Sequence, residues 1–160
     1  MVAVGSVGRI VLGELAMMVP LPLYGVLIKT GLTETLAFIA GFVSGTALGF
    51  VTGALIIVVS DIFISPGPWT PFIALIVGVL FGAGAGLLQR LGGKTDALTL
   101  GAFAVALSFL DELLQNTWVS IFFNVPFGVT MALGPPHAEP RIAENAVEFS
   151  LVDSRIHEEL

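Results

Sequence analysis

The stretch Gly41-Phe42-Val43-Ser44-Gly45-Thr46-Ala47-Leu48-Gly49-Phe50-Val51-Thr52-Gly53 sets a glycine at every fourth position of an apolar run. A second ladder, Ala74, Gly78, Gly82 and Gly86, follows after Asp61 and the loop Ser65-Pro66-Gly67-Pro68-Trp69-Thr70-Pro71. Four-residue spacing aligns small residues along one side of a helix, where missing side chains let backbones approach. In lipid, burying apolar surface gains little, so such close van der Waals contact becomes a main source of helix association. The two ladders therefore read as helix-packing surfaces inside a membrane.

The rest of the chain agrees. Of its 160 residues, 56% are hydrophobic and 11% charged, and the mean hydropathy is +0.99. Soluble domains carry about a quarter of charged residues. The length fits a single membrane domain over 1–160 with room for roughly five or six spans of about 20 residues. The net charge of -6 is concentrated in a tail, for six of the twelve acids lie from Glu139 onward. No basic patch fits nucleic acid. Cysteine is absent, which excludes disulfides, thiolate metal sites and thiol nucleophiles. The N-terminus lacks the basic n-region and cleavage site of a secretory signal, so the apolar start is expected to be retained.

A first apolar segment runs from Val2 to Leu27, interrupted by Arg9, Glu14 and Pro20-Leu21-Pro22. Lys29 and Glu34 mark polar ground, and Leu36 to Val59 is a 24-residue stretch without a charge. At 1.5 Å per residue it is about 36 Å long, enough for one tilted span, or for two shorter helices reversing near Gly45. Periodicity alone favours one helix. Phe72 to Leu88 forms the next span, introduced by Pro71 in the first helical turn, where its missing N–H costs nothing. Ala97 to Trp118 forms another, continuing as apolar sequence to Phe127. From Gly134 the tail (134–160) is Pro-rich and then charged, with a helical pattern over Ile142 to Val152.

Arg90 and Lys94 close the Phe72 helix, and cytoplasmic loops carry the excess of Lys and Arg. With that loop inside, Asp61, the Trp69 loop and the far end of the next helix, with Asp111, Glu112, Gln115, Asn116 and Trp118, share the outer half. Asp111 and Gln115, and Glu112 and Asn116, are four apart and face the same way in pairs. Acids at membrane depth are costly and tend to line an interior or a cavity; Asp111 stands about 22 Å along its helix from Asp96, where solvated helix-end acids are the competing reading. Trp69 and Trp118 fit either interfacial anchors or stacking platforms for a flat ligand. In the tail, Arg141, Glu144, Asn145 and Glu148 share one helical face, which fits a surface helix or a span whose polar face lines a cavity.

Catalytic signatures are absent. His137 and His157 have no HExxH or paired ligand spacing, no acidic cluster repeats at metal-binding intervals, and there is no GxSxG or Walker loop. Gly82-x-Gly84-x-Gly86 lacks the preceding strand that dinucleotide binding requires. The reading is a non-enzymatic protein without cofactor or metal.

The stretch from Ala40 to Arg90 resembles the substrate-binding S component of energy-coupling factor (ECF) transporters, in the branch with glycine-rich helices followed by a Gly-Pro-Trp-Thr-Pro loop, here Gly67 to Thr70 and Pro71. The helix with Leu113, Leu114, Asn116 and Trp118 looks like that branch's fifth span, and Asn145-Ala146-Val147-Glu148-Phe149 like a degraded sixth. The resemblance implies an all-α six-helix transmembrane bundle, which requires residues 36–59 to reverse near Gly45; one helix there leaves five spans. It implies a multi-pass protein of a prokaryotic cell membrane, in contact with lipid. The protein would capture a small vitamin-like molecule from outside and deliver it with a transmembrane coupling subunit and two ATPase subunits. Expected pocket residues are Asp61, Trp69, Thr70, Glu112, Asn116, Trp118 and Asn145, by hydrogen bonding and stacking. Gly45, Gly49 and Gly53 are the expected packing and coupling residues. The alternatives are a structural membrane protein that oligomerises through Gly49 and Gly78, or a small ion-coupled carrier using Asp111 or Glu112.

Overall fold

The computed structural model describes residues 1–8, 10, 32–64, 67–92, 96–133, 142–143 and 145–150. Arg9, Glu14, Pro20, Pro22, Lys29, Lys94, Arg141 and Glu144 lie outside the described residues, and with them most of the first apolar segment. Among the described residues all regular structure is helical: α1 (residues 2–8), α2 (Leu32–Ser44), α3 (Thr46–Ile64), α4 (Thr70–Arg90), α5 (Ala97–Phe123), α6 (Phe127–Leu133) and α7 (residues 145–150). Three of these, α3, α4 and α5, are long and apolar enough to cross a bilayer. This is an all-α membrane bundle.

Its surface carries the same message. Leu48, Val51, Leu55, Val58 and Ile62 form an exposed stripe along α3, and Leu75, Val79 and Leu87 continue it on α4. The interior holds Thr35, Ser60, Asp61, Ser108, Asp111, Glu112, Asn116 and Asn145, all buried. A protein in water buries charged groups rarely and seldom exposes long apolar stripes. In lipid the apolar stripes cost nothing, and polar groups are kept inside the bundle because facing hydrocarbon costs more.

Residues 36–59 are two helices, as the family resemblance implies and against the single helix that periodicity favours. The chain reverses at Gly45, whose φ of 90° lies where a side chain is strained and glycine is not. The hairpin is symmetric about that pivot. A Cβ on Gly49 would lie 2.4 Å from Gly41 Cα, four residues to the other side of Gly45, and one on Gly53 would lie 3.0 Å from Ala37 Cβ, eight residues to the other side.

Helix α4 closes onto this hairpin with its own ladder. A Cβ on Gly82 would meet Gly49 O at 2.1 Å, one on Gly41 would meet Gly82 O at 1.9 Å, and one on Gly86 would meet Thr46 N at 2.3 Å. Three backbones touch directly. A four-residue repeat drifts by about 40° per step around a 3.6-residue helix, which would swing a long ladder off its partner. Residues Gly78–Ala83 form a π-helical segment within α4, and its wider turns take up part of that drift. Gly84 falls on the other side, with only ordinary contacts to Phe103 and Leu107.

Gly49 and Gly53 are therefore buried between helices of this chain, and Gly78 is packed against Phe50. That corrects the expectation that Gly49 and Gly53 present a coupling surface, and it equally removes Gly49 and Gly78 as contacts of a homo-oligomer. Gly45 keeps open space around it, but its backbone already requires glycine for the turn.

Helix α7 packs into the bundle instead of lying on its surface. Phe149 is fully buried, with its ring 4.1 Å from that of Phe38 and 6.3 Å from that of Phe81. Gly101 on α5 makes room for it, since a Cβ there would come within 2.8 Å of Ser150 Oγ. Thr35 on α2 donates to the Glu148 carboxylate across the same contact.

Candidate functional site

The seam that joins α3 to α4 ends in chemistry. Counting outward by fours along α3 from Gly45 gives Gly49, Gly53, Ile57 and Asp61; counting back along α4 from Gly86 gives Gly82, Gly78, Ala74 and Thr70. The last members meet. Thr70 Oγ1 donates to Asp61 Oδ2 at 2.6 Å, and Asp61 is buried. At the end of the seam away from Gly45 a hydrogen bond replaces backbone contact.

The loop that carries Thr70 is built around its own tryptophan. Trp69 folds its indole back over Gly67, where a Cβ would stand 2.3 Å from the ring, so only glycine fits there. Thr70 N donates to Gly67 O at 3.1 Å, and Gly67 N donates back to Thr70 Oγ1 at 3.4 Å. Trp69 O then accepts from the N–H groups of Phe72 and Ile73, both at 3.0 Å, which opens α4 with Pro71 in its first turn. Each residue of the Gly-Pro-Trp-Thr-Pro run except exposed Pro68 has a geometric task.

Trp118 comes to this loop from α5. Its ring stacks on Phe72 with centroids 4.5 Å apart and planes 17° from parallel, and Phe122 lies against it at 4.9 Å. Between Trp118 and Trp69 is a cleft of about 140 Å³, lined also by Ile73, Gln115, Val119 and Phe123. Trp69 opens α4 and Arg90 closes it, about 31 Å apart at the helical rise, so the cleft stands at the end of the bundle opposite Arg90. The indole N–H of Trp118 is buried and has no hydrogen-bond partner.

The acids of α5 do not line this cleft. Gln115 Nε2 donates to both Asp111 carboxylate oxygens at 2.9 Å, and Asn116 Nδ2 donates to Glu112 O at 2.8 Å and Glu112 Oε1 at 3.0 Å. Both i, i+4 pairs inferred from spacing are formed. Asp111 is 0% exposed and Glu112 6%, which corrects the reading of solvated helix-end acids. Thr130 on α6 donates to Asn116 O at 3.3 Å, so α6 covers this pair after the chain turns at Asn124, φ 53°.

Asn145 is elsewhere again. It is fully buried on α7 and donates to Ser108 Oγ at 2.7 Å, while its Oδ1 has no partner. Of the seven expected pocket residues, only Trp69 and Trp118 share the cleft. Asp61 and Thr70 clamp the loop beside it, Glu112 and Asn116 sit under α6, and Asn145 belongs to the α5–α7 contact.

Ile73, Val119 and Phe123 are lining residues that the sequence reading did not name, and Gln115 was named as the partner of Asp111 but not as a pocket residue. Gln115 had a signal, its four-residue spacing from Asp111; the apolar three had none that distinguishes them from lipid-facing neighbours. Glu34 was expected to mark polar ground between apolar segments, yet α2 begins at Leu32 and Thr33, Glu34 and Thr35 are all buried. A larger hollow of about 610 Å³ lies between α5 and α7, lined by Ala97, Leu98, Gly101, Val105, Val147 and other small groups. Leu98 and Val147 on its wall are largely exposed, so it is an open groove on the surface of the bundle.

No protein-family model, curated protein or solved structure matches the chain.

Proposed function

We propose that the protein is the substrate-capturing S component of an ECF-type importer, which takes up a small vitamin-like molecule at its outer end and releases it inside. The reading is carried by one observation, the cleft between Trp69 and Trp118 at the end opposite Arg90. Basic residues mark the cytoplasmic side, so that end faces outward. Aromatic and apolar walls with one polar side chain, Gln115, are the lining expected of a small-molecule site, and at about 140 Å³ the cleft takes only part of a solute. The Gly-Pro-Trp-Thr-Pro loop that carries the family resemblance is the element that builds one wall of it.

The mechanism that follows is capture without catalysis. The indoles stack on the solute, Asp61 and Thr70 hold the loop in place, and the buried Glu112–Asn116 pair stiffens the outer end of α5. Movement of the loaded bundle would be driven by an ATP-hydrolysing partner, a coupling subunit with two ATPases, as the family resemblance implies; the sequence itself carries no Walker loop. With Gly49 and Gly53 occupied inside the bundle, that partner must use other residues.

Thermal shift of the detergent-purified protein against a library of vitamins and their precursors tests the capture step. A true solute at a hundredfold excess over its Kd stabilises by about 2.7 kcal/mol, and the Trp69→Ala protein loses that response. A library in which nothing stabilises the wild type overturns the reading.

A second reading, an ion-coupled carrier, is favoured by the burial of Asp111 and Glu112, since intramembrane acids commonly mark ion paths. Ion flux into liposomes holding this chain alone, without nucleotide, would establish it; a tight membrane that still binds solute supports capture.

A further inference from the structure

Gln115 is the one polar side chain on the cleft wall besides the two indoles, and its amide is held from behind by Asp111. Resting on the capture reading, we infer that Asp111 is a positioning residue that turns the Gln115 carbonyl towards the cleft, so that the part of the solute held between Trp69 and Trp118 carries a hydrogen-bond donor, an N–H or O–H.

Helix geometry puts the two residues in line. Residues three or four apart share a helix face, so Asp111, Gln115, Val119 and Phe123 form one row along α5 with Trp118 beside it. The last four line the cleft, and Asp111 continues the row one turn nearer the Ala97 end, 0% exposed. Helical side chains lean back towards the N-terminus of their helix, which carries the Gln115 amide onto Asp111.

The bond then decides which way the amide faces. Gln115 Nε2 donates to both Asp111 carboxyl oxygens at 2.9 Å. Turned over, the amide would set Oε1 against the same two oxygens, of which a carboxyl group can protonate one at most, so lone pairs would oppose each other. With the nitrogen committed, Oε1 accepts no hydrogen bond among the described residues, and unlike Trp118 Nε1 it is not sealed in the interior. The hollow that this half-buried side chain borders is the cleft.

Stacking on the indoles discriminates little between rings that differ only in the polar atom they carry. The carbonyl does discriminate, because an occupant without a donor strips water from Oε1 and returns no bond, which weakens binding about fivefold or more. An uncharged N–H or O–H and a cationic N–H can each supply that bond.

The chain has two glutamines, Gln115 and Gln89, the latter exposed near the far end of α4, and two tryptophans, Trp69 and Trp118. The full-length protein, labelled with ¹³C at the glutamine side-chain carbonyl and ¹⁵N at tryptophan, is titrated in lipid nanodiscs with pyrrole, furan and benzene. The rings are similar in size and pyrrole alone carries an N–H. Indole resonances report entry and affinity; isotope-edited infrared bands report the Gln115 carbonyl, with Gln89 as internal reference. All three rings are expected to move the indole signals, and pyrrole alone to shift the Gln115 band to lower frequency. Asp111→Asn offers the amide a donor as well as an acceptor and so releases its orientation. It should lower the pyrrole-to-furan affinity ratio about threefold and leave benzene unchanged, whereas a merely structural role would weaken all three rings alike. Partition of each ring into lipid is common to both proteins and cancels in that ratio; if Asp111→Asn does not fold, the wild-type band shift decides. Pyrrole that moves the indoles without shifting the Gln115 band, an unchanged ratio in folded Asp111→Asn, or a cleft that none of the rings enters overturns the inference. If a library compound still stabilises the wild type, the capture reading survives that result. If none does, both fall.

Discussion

The two ends of the α3–α4 contact are built on opposite principles. Towards Arg90, glycines bring three backbones together so closely that hypothetical Cβ atoms at Gly41, Gly49, Gly82 and Gly86 fall 1.9–2.4 Å from a neighbour. Towards Trp69 the small residues stop, Thr70 and Asp61 meet through a hydrogen bond, and aromatic side chains hold α4 and α5 apart around a hollow. One end has no spare volume and the other keeps some empty. Lipid supplies little hydrophobic drive between helices, so the dense end must supply the cohesion. The open end is then free to keep an unfilled cavity and an unpaired indole N–H, both of which cost stability.

That contrast breaks most directly at its tightest point. Gly82→Val places a branched side chain into Gly49 O and Phe50 N, and overpacking of this kind costs about 3 kcal/mol or more. The expected outcome is loss of the monodisperse peak in size-exclusion chromatography; Gly84→Ala, on the same helix with contacts no closer than 3.7 Å, should elute as the wild type does. A normal profile for Gly82→Val would mean the seam is not what holds α2, α3 and α4 together.

Next in size is the pivot. Gly45→Ala meets no atom within 4 Å but forces alanine to a φ of 90°, which costs about 1–2 kcal/mol, measurable as a lower thermal midpoint. Asn tolerates left-handed backbone better, so Gly45→Asn should fall between alanine and wild type. Equal midpoints for all three would place the turn elsewhere.

Smaller again is the clamp at the open end. Thr70→Val removes the hydroxyl donor to Asp61 at nearly constant volume and should cost about 1 kcal/mol, as interhelical hydrogen bonds in membranes do. Faster proteolysis at the Gly67–Trp69 loop, with the seam intact, is the accompanying readout. The least effect is expected at the lipid face, where Leu55→Ala trades one exposed apolar side chain for another and should shift the midpoint by less than about 0.5 kcal/mol equivalent. A large effect there would mean that the exposed stripe on α3 contacts protein instead of lipid.

Particular residues show what could be read in advance. The ladders, the Asp111–Gln115 and Glu112–Asn116 pairs, Pro71 in the first turn of α4 and the span from Ala97 were all legible, because each is a local spacing on one helix. The site was less so. Trp69 and Trp118 could be assigned to one end of the molecule by counting spans, but nothing in the spacing says that Phe72 stacks on Trp118, or that Val119 and Phe123 turn to the cleft while Ile121 stays exposed. Glu34 misled for the same reason, since a polar residue in sequence does not disclose whether α2 carries it to a surface or to the interior.

The amino-acid order by itself fixed the solvent: a chain this apolar, with long uncharged stretches and few charges in all, belongs in lipid, and its four-residue glycine spacing commits it to close helix contact. Only the tertiary structure decided where that contact lies. A repeat of four looks the same along one straight helix as it does mirrored across a turn, and glycine permits a positive φ without requiring it. The reversal at Gly45 pairs Gly41 with Gly49 and Ala37 with Gly53, and closure of α4 then settles that Asp61 meets Thr70 while Trp69 faces Trp118 across a cleft. Those pairings are energies of distant groups brought together, which no local spacing contains.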